Sequence, residues 1–162
     1  MTITDQTTQQ TDAAMPPAPP ATGRVQLALN VADIDEAVAF YTSLFGVEPA
    51  KRRPGYANFA IENPPLKLVL FEGAEPDGSI NHLGVEVETA DQVTDAERRL
   101  SSAGLATTGV DETICCYAEK AETWVHAPDG NRWEWYVKTA DADQIEMVVL
   151  GRSGEGSTTC CP

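Results

Sequence analysis

Basic residues are scarce in this sequence. Lys and Arg number 11 against 25 Asp and Glu in 162 residues, which gives a formal net charge of -14 at pH 7. Proteins that bind nucleic acid draw most of their affinity from clustered Lys and Arg, so the composition argues against such a partner. The one basic run, Lys51 to Arg53, precedes Pro54-Gly55. We predict a solvated turn there, with the holding of an anionic substrate group as the alternative.

Long apolar runs are also missing. No stretch approaches the roughly 18 to 20 apolar residues that span a bilayer. The N-terminus has neither the basic nor the apolar region of a signal peptide. These absences predict a cytoplasmic protein without a membrane partner. Thiols stay reduced in the cytoplasm, so the two vicinal pairs, Cys115-Cys116 and Cys160-Cys161, favour ligand chemistry over a disulfide framework.

Both ends of the chain have the composition of tails. Residues 1–23 are rich in Thr, Gln, Pro and Ala, and we predict a disordered N-terminal tail. Residues 141–162 end in "GRSGEGSTTCCP", and we predict a flexible C-terminal tail that contains Cys160 and Cys161. The hydrophobic content of 42% is enough for a core. We therefore place one domain at residues 24–140.

An imperfect internal repeat lies within this domain. "VQLALNVADIDEAVAFYTSLFG" aligns with "NHLGVEVETADQVTDAERRLSSAG", and each begins with apolar residues at alternate positions, as in a half-buried strand. Asp33 with Glu36 and Thr89 with Gln92 are typical of capping boxes that begin helices. Strand-like runs follow each helix. The pattern predicts an α+β fold of two βαβββ modules, at about residues 24–73 and 80–138.

Polar residues lie on the strand faces opposite the helices. In the first strand of each module, Gln26 and His82 alternate with residues that should pack on a helix. In the last strand, "RWEWYV", Glu134 lies on the face that Trp133 and Trp135 do not occupy. The repeat therefore predicts that Gln26, His82 and Glu134 converge.

The strand that carries Glu134 also carries a specific motif. "APDGNRWEWY" resembles the turn and metal-binding strand of the vicinal oxygen chelate superfamily, whose paired βαβββ modules form a cup around a divalent metal. The resemblance covers roughly residues 24–138 and implies that Gln26, His82 and Glu134 are metal ligands. Two His and one carboxylate usually hold non-haem Fe(II). This chain departs from that set because Gln26 stands in place of one His.

The first cysteine pair lies in "GVDETICCYAEKAE", which has many charges and no sustained alternation. We predict a loop, because neighbours in a strand point to opposite faces and could not share one ligand. A buried pair of small apolar side chains is one interpretation of Cys115 and Cys116. The other is a pair of thiolates that holds a soft ion. The surrounding carboxylates leave little apolar context for the first interpretation. They should also oppose thiolate formation, with Lys120 as the only nearby cation, but a strongly thiophilic ligand can overcome this by displacing the proton.

With this pair included, the sequence resembles the ArsI family of carbon-arsenic lyases and the related cadmium-induced proteins. The resemblance rests on the Gln, His and Glu ligands, the vicinal cysteines in the second module and the cysteine-containing tail. It implies an Fe(II)-dependent dioxygenase that uses dioxygen to cleave the carbon-arsenic bond of trivalent organoarsenicals, methylarsenite and reduced aromatic arsenicals among them, leaving arsenite. It further implies that Cys115 and Cys116 bind arsenic.

Two further residues are candidates for catalysis. Tyr117 follows the cysteine pair and could orient substrate or donate a proton, with an ordinary packed tyrosine as the alternative. His126 could line the cavity as a proton donor or acceptor, with an ordinary hairpin histidine as the alternative.

Two other functions remain open. One is a non-catalytic protein that binds cadmium or arsenite through the same thiols. The other is a different glyoxalase-like or extradiol dioxygenase-like enzyme, which would leave the cysteines without a role. Leu68, near where a glyoxalase would supply a second Glu, is apolar and disfavours the glyoxalase. The sequence leaves open whether the cup forms within one chain or across a homodimer.

Overall fold

The computed structural model describes residues 23–73 and 79–150, which contain two βαβββ modules and one further strand. The first module comprises β1 (Arg24–Val31), α1 (Ile34–Phe45), β2 (Lys51–Arg53), β3 (Tyr56–Ile61) and β4 (Leu66–Glu72). The second comprises β5 (Ile80–Glu86), α2 (Ala90–Ser102), β6 (Asp111–Cys115), β7 (Ala118–His126) and β8 (Arg132–Asp141), and β9 (Val148–Val149) follows. The predicted α+β repeat is confirmed. The predicted N-terminal tail up to residue 22 and the pair Cys160-Cys161 lie outside the described residues.

The strands form one mixed sheet with the order β2-β3-β4-β1-β5-β8-β7-β6-β9. The first strands of the modules, β1 and β5, are antiparallel neighbours, so the modules join at the centre of the sheet. Each also pairs in parallel with the last strand of its own module, β1 with β4 and β5 with β8. The inward faces of both modules therefore form one continuous concave surface.

The helices pack on the opposite surface. Ile34 and Val38 of α1 are buried in one cluster with Phe59 and Leu70. Val93, Ala96 and Leu100 are the buried residues of α2. Leu68 also belongs to the α1 cluster, so its side chain lies on the helix side of the sheet. Its apolar character therefore carries no information about the cavity, contrary to the sequence argument.

The helix boundaries follow the predicted caps. The Asp33 side chain accepts hydrogen bonds from the backbone N–H groups of Asp35 and Glu36. At α2 the capping box is reciprocal, with Thr89 and Gln92 each bonding the other's backbone. Gly46 ends α1 in the left-handed region at φ 69°. Within the described ranges, no helix is both long and apolar enough to cross a membrane.

Two local predictions were wrong. The basic run Lys51–Arg53 is strand β2, paired with β3, and not a solvated turn. The predicted loop around the cysteines is a β-hairpin, because β6 pairs with β7 directly on either side of Cys116 and Tyr117. The charges obscured the hairpin, because two of these charged side chains, Lys120 and Glu122, are buried.

Residues 141–150, the described part of the predicted C-terminal tail, contact the domain. β8 extends to Asp141, and β9 pairs with the edge strand β6. Between them, Ile145 and Gln144 accept backbone hydrogen bonds from Cys116 and Tyr117. We call residues 142–147 the strap, because they hold the hairpin turn through its backbone.

Candidate metal and thiol site

The three predicted ligands converge on the concave face. Gln26 Nε2 lies 2.9 Å from His82 Nε2 and 3.0 Å from Glu134 Oε2. His82 Nε2 lies 3.5 Å from Glu134 Oε2. All three side chains are buried. The central pairing of β1 with β5, and of β5 with β8, brings together residues that are up to 108 positions apart in sequence.

These separations fit a divalent metal. Adjacent ligands at about 2.1 Å from an octahedral ion lie roughly 3 Å apart, so the three atoms match one triangular face of an octahedron. Metal binding requires the Gln26 amide to present Oε1 in place of Nε2. Tyr136 Oη, now 2.5 Å from Oε1, can equally accept a hydrogen bond from the amide after this exchange.

The triad differs in donor type from commoner metal sites. Within residues 23–73 and 79–150, no group of three or more side chains made of His, Cys, Asp and Glu alone could hold a metal ion. Gln26 supplies the third donor in this site. The remaining two, a neutral imidazole and a carboxylate, are part of the set that suits Fe(II) and similar ions.

A chain of side-chain amides orients His82. Its Nδ1 lies 2.8 Å from Asn81 Oδ1, and Asn81 in turn donates to Asn30. Asn30 donates to Ser79 Oγ. With the Nδ1 proton given to Asn81, Nε2 keeps its lone pair toward Gln26 and Glu134. This is the usual way that proteins fix the tautomer of a metal-binding histidine.

Gly84 allows the strands that carry the triad to approach each other. A Cβ atom at this position would lie 3.2 Å from the Glu134 carbonyl oxygen and 3.3 Å from Gln26 Cβ. Both contacts are tighter than ordinary packing, so a larger residue would push Gln26 or β8 away. Gly84, which lies two residues after His82 on the same strand, is therefore part of the site.

Lys120 and Glu122 are buried beside the triad, which sequence reasoning missed. Lys120 Nζ lies 2.5 Å from Glu134 Oε1 and 3.2 Å from Glu122 Oε2. Burial alone would lower the pKa of Lys120, but the attraction of Glu134 and Glu122 outweighs it and raises that pKa well above the usual range. Ala118, Lys120 and Glu122 alternate along one face of β7, and this pattern could have revealed the buried pair. The prediction of a loop in this segment hid it.

The two carboxylates respond oppositely to this lysine. Burial raises the pKa of Glu122 to about 7, with Lys120 only partly opposing it. Burial also acts on Glu134, but the attraction of Lys120 prevails and holds its pKa well below the usual range. Glu134 is therefore the ionised member of the triad.

One cavity contains part of the triad and part of the thiol pair. Its volume is about 220 Å³, and Gln26, His82, Lys120 and Cys116 all line it. Aromatic rings line the cavity between the end that contains His82 and the end that contains Cys116. The ring centroids of Tyr56 and Phe71 lie 5.5 Å apart, and those of Phe71 and His82 lie 6.3 Å apart. The Cys116 side chain packs against the cluster that contains these two aromatic residues.

The hairpin turn places both cysteine sulfurs on one side. Cys115 is the last residue of β6, whereas Cys116 and Tyr117 have positive φ angles of 55° and 61°. This turn breaks the strand alternation, so the two Sγ atoms lie 3.0 Å apart. That distance exceeds a covalent sulfur–sulfur bond of about 2.05 Å. Because of this turn, Cys115 and Cys116 can face one ligand although they are adjacent in sequence, which is the condition set in the sequence analysis.

Cys115 differs from the prediction of reduced thiols. Its side chain is fully buried and disulfide-bonded. Any role of the Cys115 thiol in ligand binding therefore requires reduction first. Cys116 is half-buried and in the thiol state.

The two candidate catalytic residues have different surroundings. Tyr117 packs its ring 5.0 Å from that of Tyr56, and the Arg53 guanidinium lies 5.9 Å from the ring centre. His126 is exposed at the end of β7, opposite Arg132, and is not among the residues that line the cavity. The Pro128 to Asn131 turn beside it forms as predicted, with Ala127 N–H donating to the Asn131 carbonyl. Tyr117 does not line the cavity either, although it lies against Tyr56, which does.

Paired βαβββ modules with Gln26, His82 and Glu134 converging on their concave face define the class of fold to which the protein belongs. The chain belongs to the Glyoxalase/Bleomycin resistance protein/Dioxygenase superfamily, whose family model matches residues 23–135. A "Trivalent organoarsenical cleaving enzyme" from Thermomonospora curvata is 51% identical over 140 residues, 86% of this chain and 89% of the relative. The "Cadmium-induced protein CadI" of Mycobacterium tuberculosis is 53% identical over 120 residues, 74% of this chain and 79% of the relative.

Solved structures show the same fold at low identity. The methylmalonyl-CoA epimerase of Mycobacterium tuberculosis superposes with a TM-score of 0.54 at 19% identity, over 78% of this chain and 94% of the other. The similarity at this level concerns the fold and not the reaction.

Proposed function

We propose that this protein cleaves the carbon-arsenic bond of trivalent organoarsenicals, such as methylarsenite and reduced aromatic arsenicals, and leaves arsenite. The observation that carries the proposal is the single cavity lined by Gln26, His82 and Cys116. The relative from Thermomonospora curvata, named for the cleavage of trivalent organoarsenicals, supports the same activity.

Gln26, His82 and Glu134 would hold Fe(II), which would supply activation of dioxygen beside the substrate. Their side chains lie on the concave face, so a metal held there would have room for small ligands on the side of the cavity. Lys120 donates a hydrogen bond to Oε1 of Glu134, so Oε2 remains to face Gln26 and His82. Lys120 thereby favours binding through one carboxylate oxygen.

Cys115 and Cys116 would hold arsenic once both are reduced. Trivalent arsenic is a soft acceptor that prefers thiolates. The negative charge of a Cys116 thiolate is among the charges that raise the pKa of Lys120, which shows that the lysine lies within electrostatic reach of this sulfur. Binding by the thiols at one end of the cavity would hold the arsenic-bound carbon toward the metal end. Such positioning can supply much of a rate enhancement.

The test is arsenic speciation after reaction. The full-length protein is treated with a non-thiol reductant, loaded with Fe(II) without oxygen, and given methylarsenite and then air. We expect oxygen uptake and arsenite release, with activity reduced at least about 100-fold in His82→Ala and Glu134→Ala because each removes a metal ligand. His126→Ala is the matched histidine control and should keep wild-type activity.

The thiols are tested in the same assay. Cys115→Ser and Cys116→Ser should each raise KM steeply, and the double variant should release no arsenite. Full turnover by the double variant would refute the assigned thiol role while leaving the metal site intact.

A thiol-based binding protein is the second candidate function. The relatives named for cadmium induction, together with two sulfur atoms 3.0 Å apart, favour it specifically. It predicts stoichiometric binding of cadmium or arsenite that persists without iron, and no product from methylarsenite under air. A different glyoxalase-like or extradiol dioxygenase-like activity would leave both thiols without a function.

A further inference from the structure

The cavity is rich in cations, although the chain as a whole is strongly acidic. Five of the 11 Lys and Arg residues of the sequence line it: Arg24, Lys51, Lys67, Lys120 and Lys138. The carboxylates in the same lining are Glu86 and Asp141. The arrangement concentrates positive charge in one concave region, which attracts anions more strongly than the net charge suggests.

Within this lining, each of the two carboxylates is shared by two cations. Glu86 pairs with Arg24 and with Lys67, whose Nζ lies 3.0 Å from Oε1. Asp141 pairs with Lys51 and Lys138. Each group therefore has one positive charge in excess.

Lys120 does not add to this excess. It lies between Glu134 and Glu122, so these three side chains have one negative charge in excess when both carboxylates are ionised. A divalent ion on the triad would reverse the sign. The anion-attracting groups of the lining are thus the Glu86 and Asp141 groups, and a bound metal would strengthen their field.

The Glu86 group lies closest in the sheet to the triad. Lys67 on β4 is the register partner of Gln26 on β1, and Arg24 lies two residues before Gln26 on the same face. The cations of the two groups are similarly buried, but the Glu86 side chain is 13% exposed, whereas that of Asp141 is 67% exposed. Charges at the Glu86 group are therefore less screened by water, and a hydrogen bond to an anion there is worth more.

We propose that Arg24 and Lys67 form a subsite for an anionic substituent on the organic group of the substrate. This inference rests on the proposed function and names the preferred class within it: aryl arsenicals with a ring carboxylate or similar acid. With arsenic held at the thiol end and the reacting carbon toward the triad, the remainder of an aryl group extends past Gln26 toward Lys67. Methylarsenite has no such group and cannot use the subsite.

The experiment compares two isosteric substrates, 4-carboxyphenylarsenite and 4-carbamoylphenylarsenite. The measured quantity is the ratio of their kcat/KM values with the reduced, Fe(II)-loaded, full-length protein. In parallel, calorimetry gives the ratio of their Kd values for the reduced, metal-free protein, where no reaction occurs. We expect wild type to prefer the carboxylate by about tenfold in both ratios, as for one partly buried charge-assisted contact.

The variants are Lys67→Met, Arg24→Met and Lys67→Arg. Each Met variant should reduce both ratios toward unity, whereas Lys67→Arg keeps the charge and should retain the preference. Arg98→Met is the control, because Arg98 is exposed on α2 and pairs with Asp95 outside the cavity. The preference should also fall as salt rises.

Equal values for the two substrates, or a preference unchanged in both Met variants, would overturn the subsite. Failure of the proposed function gives a different result, because then neither substrate nor methylarsenite yields arsenite. In that case the Kd ratio of the metal-free protein still decides whether the anionic group is recognised. The Arg24 variant keeps the test valid if Lys67→Met does not fold.

Discussion

At the residue scale, Glu122 is a buried carboxylate whose charge depends on one lysine. It is 1% exposed, and Lys120 is its ion-pair partner at 3.2 Å. Glu134 competes for the same lysine at 2.5 Å and remains ionised. The shared lysine therefore stabilises the ligand carboxylate at the expense of its neighbour.

This competition predicts a pH dependence of stability for the metal-free protein. The pKa of Glu122 is about 7 in the folded state against 4.5 for an ordinary Glu, so between these values the folded state binds more protons. The free energy of unfolding therefore falls as pH rises through this window. Glu122→Gln removes the effect, so its stability relative to wild type should rise by about 1 to 3 kcal/mol between about pH 5 and about pH 8.

Urea denaturation of protein treated with a chelator measures this difference. The exposed Glu146→Gln on the strap is the matched control and should show no such trend. A difference between Glu122→Gln and wild type that does not vary with pH would contradict the raised pKa.

At the element scale, the hairpin turn depends on the strap. Cys116 and Tyr117 adopt left-handed backbone angles, which cost energy for residues with a Cβ atom. The bonds from their N–H groups to the Ile145 and Gln144 carbonyls offset this cost, as does the packing of Ile145 beside both residues. The position of the thiols is therefore determined by a segment that lies some 30 residues away in sequence.

Loosening the strap should loosen the turn. Ile145→Gly removes the packed side chain and adds backbone freedom, so the amide protons of Cys116 and Tyr117 should exchange at least about tenfold faster. Hydrogen exchange measured by NMR on the full-length protein resolves these two amides.

Glu146→Gly is the control for this measurement. It adds the same backbone freedom at an exposed neighbouring position, without loss of a packed side chain. Equal acceleration in both variants would assign the effect to strap flexibility alone, and no acceleration would show that the strap does not hold the turn.

At the scale of the whole molecule, the candidate metal site connects the two modules. Gln26 belongs to the first module, whereas His82 and Glu134 belong to the second. Gln26 approaches His82 and Glu134 within 2.9 to 3.0 Å only while β1 and β5 remain paired. An ion that binds all three should therefore stabilise the folded state over the unfolded state.

Thermal unfolding without oxygen tests this coupling. Fe(II) or Co(II) at about 100 times its Kd should add about 2.7 kcal/mol to the free energy of unfolding and raise Tm. His82→Ala and Glu134→Ala should lose the shift, and His126→Ala should keep it. A shift of equal size in all four proteins would place the metal elsewhere.

The sequence alone was enough to predict the βαβββ repeat and the convergence of Gln26, His82 and Glu134. This was possible because strand alternation is local, and because two aligned modules place equivalent residues on one inner face. The helix starts were equally local, since a cap depends on residues three positions apart.

Only the tertiary structure decided which charged residues lie inside. Lys120 and Glu122 lie in a charged segment whose composition is typical of a solvated loop. The curvature of the sheet nevertheless buries them beside Glu134, where opposite charges offset the cost of desolvation. Strand β2, the turn at Cys116 and the cation groups at Glu86 and Asp141 likewise depend on contacts between segments distant in sequence. Such contacts leave no periodic signal, because their energy comes from the partner and not from the local pattern of residues.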